Sequence, residues 1–224
     1  MDEVSGSRID EVAGVALTDL GGMPPTPNNV VGVDAVPGMY GNALRYYNKV
    51  GGVFQHPIGY NLGILPSMAT SGKGLSMFGW LKIVSYGPAP GSGFGMSGPW
   101  GYLEVLFESA SQYIRFNVGT YGTAAIALPV GSWFFFHVFY EATLGGRCGF
   151  SVNNGAPVYG ATALGILGPS HVTQVTFNTI GNFGVCNEWM VDEVGLTLDD
   201  KLCDSDAAYL YNAGAGRTWP IVLP

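Results

Sequence analysis

The sequence predicts an all-β protein, a two-sheet antiparallel sandwich carrying one short C-terminal helix. Apolar residues recur with period two in short runs separated by turn residues, as in strands that bury one face. Of the 224 residues, 35 are glycine and only 11% are charged, which suits many tight turns and closely packed strands. A capped helical pattern occurs in one place, close to the C-terminus. The 47% hydrophobic content argues against disorder. A chain of this length buries enough surface for a self-sufficient core. No charge run or Pro/Ser linker divides it, so residues 1–224 read as a single domain.

Residues 15–37 look irregular, and Pro24-Pro25-Thr26-Pro27 within them cannot sit centrally in a sheet. Residues 60–74 also look irregular, and the Pro/Gly/Ser-rich residues 87–98 read as a long surface loop. Long loops are uncommon unless they bind something, so these three segments are expected to carry the working surface. In residues 102–108, Leu103, Val105 and Phe107 share one face while Glu104 and Glu108 share the other. In residues 113–118, Ile114, Phe116 and Val118 oppose Tyr113, Arg115 and Asn117. Residues 133–140 are apolar on both faces, which places them centrally and covered on both sides, with Trp80 and Trp133 inside on neighbouring strands. Residues 148–152 run into Asn153-Asn154-Gly155, where Asn-Gly signals a type I′ turn. Strands over residues 173–177 and 189–196 complete the sandwich. The helix should cover residues 205–212, with Asp204 or Ser205 capping its start and Gly214 supplying the left-handed residue that ends it. Leu202 and Leu210 would pack it onto the sandwich.

Five segments also resemble, in order, the laminin-G-like, concanavalin A-type jelly-roll family. They are Asp2-Glu3-Val4-Ser5-Gly6 with Asp10, Pro37-Gly38-Met39-Tyr40-Gly41-Asn42-Ala43-Leu44, Met77-Phe78-Gly79-Trp80, Trp133 to Tyr140, and Asp192-Glu193-Val194 followed by Leu210-Tyr211-Asn212-Ala213-Gly214. His137 and Val138 stand one step out of the family register. The resemblance implies a jelly-roll scaffold and says little about the ligand, because function lies in sites grafted on a fold. A one-domain chain with the ending Tyr211-Asn212-Ala213-Gly214-Ala215-Gly216-Arg217 looks like versions found among bacteriophage structural proteins, where free-standing copies serve as decoration, fibre or baseplate components. The resemblance therefore implies a non-enzymatic virion protein made in the host cytoplasm. Its partners would be other virion proteins, copies of itself and host cell-surface glycans. The alternative is a stand-alone carbohydrate-binding module that uses calcium; a glycan-cleaving enzyme is a weaker rival.

Nine basic and sixteen acidic residues give a formal net charge of −7, and the basic residues are scattered, which disfavours nucleic acid. No apolar run is long enough to span a membrane. The acidic start Met1-Asp2-Glu3 lacks the basic region and apolar run of a signal peptide. An odd count of three cysteines (Cys148, Cys186 and Cys203) favours reduced thiols. A bridge between Cys186 and Cys203 is the alternative.

Asp192 is the main polar anomaly, because in a regular strand it would share a face with Met190, Val194 and Leu196. A carboxylate there must be bonded, and local bonds near the helix junction are expected. Asp199, Asp200, Asp204 and Asp206 could offer oxygen ligands to calcium, but their spacing lacks the alternating loop that presets a cage. Helix capping is favoured for them, so no cofactor is required. His56, His137 and His171 form no zinc spacing, and no Gly-x-Ser-x-Gly elbow occurs. The paired-glutamate strand of glycan-cleaving relatives is absent, with Glu104 and Glu108 the nearest pair. Tyr60, Trp100, Tyr102, Tyr113 and Tyr121 fall near loops or outward strand faces, where aromatics beside Asn and Asp hold sugars or protein partners.

Overall fold

The computed structural model describes residues 8–9, 16–19, 31–48, 58–61, 74–85, 94–98, 101–108, 113–118, 121–128, 130–141, 147–160, 174–177, 188–197 and 201–217. Fifteen strands, one α-helix and a 3₁₀ turn at Asn212–Gly214 lie among them. In chain order the strands are β1 Arg8–Ile9, β2 Ala16–Asp19, β3 Val31–Pro37, β4 Asn42–Asn48, β5 Ile58–Asn61, β6 Leu75–Ser85, β7 Phe94–Gly98 and β8 Gly101–Glu108. They continue with β9 Tyr113–Val118, β10 Tyr121–Ala127, β11 Trp133–Glu141, β12 Arg147–Val152, β13 Val158–Tyr159, β14 Gln174–Phe177 and β15 Glu188–Thr197, before helix α1 Asp204–Tyr211. They form two antiparallel sheets, ordered β1-β2-β5-β14-β7-β8-β9-β10 and β13-β12-β11-β6-β15-β4-β3. The predicted all-β, two-sheet jelly-roll sandwich with a C-terminal helix is the observed architecture. Among the described residues no helix is long and apolar enough to cross a membrane.

The seven-stranded sheet is built on β11 and β6, which pair along Trp133↔Lys82, Phe135↔Trp80, His137↔Phe78 and Phe139↔Ser76. These pairs occupy one face, covered by the chain from Lys201 onward. The intervening Phe134, Phe136, Val138 and Tyr140, opposite Leu81, Gly79, Met77 and Leu75, occupy the other. That second face is turned to the eight-stranded sheet, where β8 lies against β11. A strand apolar on both faces is thus explained by cover on both sides. Trp80 is buried as expected, but on the face under the C-terminal segment and not between the sheets, and Trp133, at the mouth of β11, is only half-buried.

The turn between β12 and β13 is of the primed kind, but it centres on Asn153 and Asn154, both with positive φ, and not on the Asn-Gly pair. The Gly155 amide closes it onto the Val152 carbonyl at 2.9 Å. Asn153 Oδ1 also accepts the Phe135 amide at 2.9 Å, tying the turn to β11.

Three expectations are corrected. Residues 15–37 contain β2 and β3, residues 60–74 begin inside β5, and residues 87–98 end in β7, which pairs with both β8 and β14. Short strands with Gly or Pro carry too few alternating residues to stand out, and sheet pairing supplied the rest. The segment Pro24-Pro25-Thr26-Pro27 lies outside the described residues. The helix starts one residue earlier than expected, with Cys203 at its N-cap and no side-chain bond there. Asp204 instead bonds Lys201 Nζ at 3.2 Å. The left-handed C-cap is Asn212, φ 47°, ahead of Gly214. Leu202 and Leu210 pack with Phe78, Trp80 and Phe135 as expected.

Candidate functional site

In the eight-stranded sheet, cross-strand partners line up into rows that alternate between its two faces. One row runs Tyr60, Val175, Met96, Leu103, Val118, Tyr121 across six strands. A neighbouring one runs Ile58, Phe177, Phe94, Val105, Phe116 on the same face, with Asp19 of the edge strand β2 at its end. That apolar face is the one a two-sheet sandwich buries.

The rows between belong to the opposite face. One is Asn61, Gln174, Ser97, Tyr102, on four adjacent strands. The next is Thr18, Gly59, Thr176, Gly95, Glu104, Asn117, Gly122, on seven. A third is Leu106, Arg115, Ala125, and a fourth Glu108, Tyr113, Ala127. Hydroxyl, amide, carboxylate and aromatic residues from distant parts of the chain thus converge on one face, held at regular strand spacing.

The register divides the expected aromatics. Tyr102 and Tyr113 stand on the polar face, in different rows. Tyr60 and Tyr121 stand at the two ends of an apolar row, and Trp100 lies outside the described residues. Sequence reasoning missed Asn61, Ser97, Gln174, Thr18, Thr176 and Asn117. Each is an ordinary polar residue in a short strand, and only the pairing of β5, β14, β7, β8 and β9 aligns them.

The covered face of the seven-stranded sheet holds a different polar group. Ser76 and His137 are 0% and 1% exposed, with Oγ and Nε2 2.9 Å apart. Ser76 Oγ also accepts the Leu202 amide at 2.9 Å, and the imidazole tautomer sets the direction of its bond to the ring. Burial, helped by the Lys201 charge, pushes the imidazole down to about 3. Lys201 Nζ lies 4.5 Å above the Phe139 ring, 3.5 Å from Glu141 Oε2 and 3.2 Å from Asp204 Oδ1. Its ammonium is raised above the usual range: burial acts against this, and the Asp204 bond and Glu141 charge overcome it. A serine–histidine pair of nucleophilic type is therefore present but sealed under the C-terminal segment, where it fastens Leu202 to the sheet.

Asp192 is 3% exposed and stands opposite Trp80 on the same covered face. Its Oδ2 accepts the Tyr40 amide at 2.7 Å and its Oδ1 the Glu193 amide at 3.0 Å. The principal partner is therefore the β3–β4 turn, not the helix junction. Burial raises its carboxyl above the usual range, against the pull of the Tyr40, Glu193 and Met39 amides. Met190, opposite Lys82, shares its face as expected, but a bulge separates Asp192 from Leu196. Asp192 pairs with Trp80 but Gly195 with Phe78, so Leu196 falls opposite Met77 on the other face. Glu193 in the bulge has φ 49°, and a Cβ on the facing Gly79 would lie 3.0 Å from Val194 Cα. Of the acidic cluster, Asp204 and Asp206 sit in the first turn of α1, while Asp199 and Asp200 lie outside the described residues. Among the described residues no three His, Cys, Asp or Glu side chains converge as a metal site.

No protein-family profile and no curated protein matches this sequence. Solved structures do share its fold. A Trypanosoma rangeli sialidase in complex with sialic acid superposes with a TM-score of 0.51 at 13% identity, covering 83% of this chain and 30% of the sialidase. The cellulose-induced protein Cip1 gives 0.51 at 14% identity, covering 76% and 88%. A carbohydrate esterase from the Shiga toxin-encoding bacteriophage phi24B gives 0.50 at 11%, covering 75% and 87%. The chain spans less than a third of the sialidase's length. At these identities the likeness establishes the scaffold, a β-sandwich of the jelly-roll type.

Proposed function

We propose that this chain is a non-catalytic recognition module whose eight-stranded sheet binds glycans. The row Asn61, Gln174, Ser97, Tyr102 carries the reading, because it sets an aromatic residue in line with amide and hydroxyl residues on the polar face. An aromatic ring offers its π-face to the CH groups of a sugar, while a few fixed polar groups set orientation. Strands hold such groups more rigidly than loops. The burial of Ser76 and His137 supports binding over catalysis, since the pair has no path to a substrate in this conformation. A glycan array, run with and without chelator, tests the reading. Tyr102→Ala and Gln174→Ala should lose glycan binding with little change in melting. Binding that survives both would move the site off this face.

A second reading places the module in a virion, built from several copies beside other particle proteins. A mean hydropathy of +0.25 with 11% charged residues favours surface covered by neighbours. Mass photometry separates the two, since a lone lectin is monomeric and a virion component assembles.

A further inference from the structure

Resting on the second, assembling reading, we infer that two copies of this chain join edge to edge through β3, their seven-stranded sheets running into one. The last strand of a sheet carries a row of N–H and C=O groups with no ladder partner, and folds normally blunt such edges. The two sheets here end in β1, β10, β13 and β3. Strands β1 and β13 are two residues long each. Strand β10 carries an extra residue between Gly122 and Ala125, a bulge that twists an edge away from a flat partner. Strand β3 has neither protection. It runs seven residues, Val31–Pro37, and pairs with β4 at every one without a shift. It contains no lysine, and its proline stands only at the last position. Among the described residues no strand lies on its outer side.

The register decides how a second copy fits. The Gly38 amide donates to the Gly41 carbonyl at 3.1 Å, where the β3–β4 hairpin turns. Counting back from that bond, the directly hydrogen-bonded pairs are Val36↔Ala43, Asp34↔Arg45 and Gly32↔Tyr47. The N–H and C=O groups of Val31, Val33 and Ala35 therefore point away from β4. A two-fold axis at Val33 sets these residues against one another. Val33 meets Val33 of the second copy, Val31 meets Ala35, and each pair exchanges both of its bonds. The strand is thus complementary to itself, as an isologous contact requires. Asp34, its one charged residue, falls opposite Gly32 of the second copy and keeps Arg45 across from it in β4. An axis one residue on would oppose the two Asp34 carboxylates, which is unfavourable.

Sedimentation equilibrium with residue-level hydrogen exchange, both on the full chain, tests this. The chain should dimerise, and the amides of Val31, Val33 and Ala35 should be protected in the dimer and exchange faster on dilution. Those of Gly32, Asp34 and Val36, bonded to β4, should stay protected throughout. Val33→Pro removes an outward N–H and leaves the β4 ladder whole, the one setting in which a sheet edge accepts proline. It should weaken dimerisation about tenfold or more with little change in melting. Ala35→Lys, a charge of the kind that blunts natural edges, repeats the test if proline disturbs the strand. Assembly that survives both substitutions unchanged, or in which Val31, Val33 and Ala35 exchange freely, would overturn the inference and leave the assembling reading standing. A chain that stays monomeric at every concentration would overturn both, and an edge strand that pairs only with another protein would show itself in that way.

Discussion

Asp192 and Gly38 illustrate how closely single residues are matched here. A Cβ on Gly38 would stand 2.5 Å from Asp192 Oδ2 and 2.8 Å from the Ala43 amide nitrogen. The turn between β3 and β4 can therefore hand its amides to the carboxylate only if residue 38 is glycine. Gly38→Ala should destabilise by about 1–3 kcal/mol through overpacking, read as a lower urea midpoint with unchanged slope. His137 makes a prediction in pH. Its folded-state value of about 3 lies below the usual 6.5, so between these values the unfolded chain binds more protons. Stability from this group is complete above pH 6.5 and is lost as pH falls toward 3, by at most about 1.4 kcal/mol per unit. The raised carboxyl of Asp192 works in the opposite direction, so the comparison must be between proteins. Unfolding free energies at pH 7 and pH 4 should differ less in His137→Phe than in wild type. Equal differences would show that His137 already titrates normally when folded.

Among the elements, β6 and β11 supply the two tryptophans by which burial can be graded. Trp80 meets the Phe135 ring edge-on at 5.6 Å and stacks with Tyr211 at 6.0 Å, whereas Trp133 sits half-exposed where β11 begins. Trp80→Ala should cost about 3–5 kcal/mol and Trp133→Ala clearly less. Equal losses in denaturant unfolding would contradict this placement. Helix α1 offers the converse test. Its N-cap Cys203, φ −71° and ψ 162°, already has cap geometry, but its side chain makes no cap bond. Cys203→Asp should supply the missing acceptor and raise stability by about 0.5–2 kcal/mol, visible as a higher melting temperature.

At the scale of the whole molecule, the sandwich joins segments far apart in sequence, and accessibility follows from that closure. Cys148 is buried opposite Tyr140, its thiol pushed up to about 12, while Cys203 is exposed at the helix start. A thiol reagent should modify Cys203 within the native protein and reach Cys148 only after denaturant is added. Rapid native labelling of Cys148 would mean that the β11–β12 layer opens. Residues 94–98 are equally bound into the whole. Because β7 lies between β14 and β8, replacing it by a short turn should abolish cooperative melting, where a surface loop would tolerate the change.

The all-β class, the centrality of β11, the alternation in β8 and β9 and the C-terminal helix were all legible in the chain. Each of these is a local pattern that one strand or one helix imposes on its own residues. Whatever depends on register came from the pairing of distant strands. The bulge at Glu193 reversed the parity that put Asp192 beside Leu196, and pairing turned stretches of the supposed loops at residues 15–37, 60–74 and 87–98 into strands. Of the candidate surface, Tyr102 was legible because an aromatic draws the eye. Gln174, Asn61 and Gly95 were not, since they become neighbours only through hydrogen bonds between strands more than a hundred residues apart in the case of β5 and β14, which no local pattern encodes.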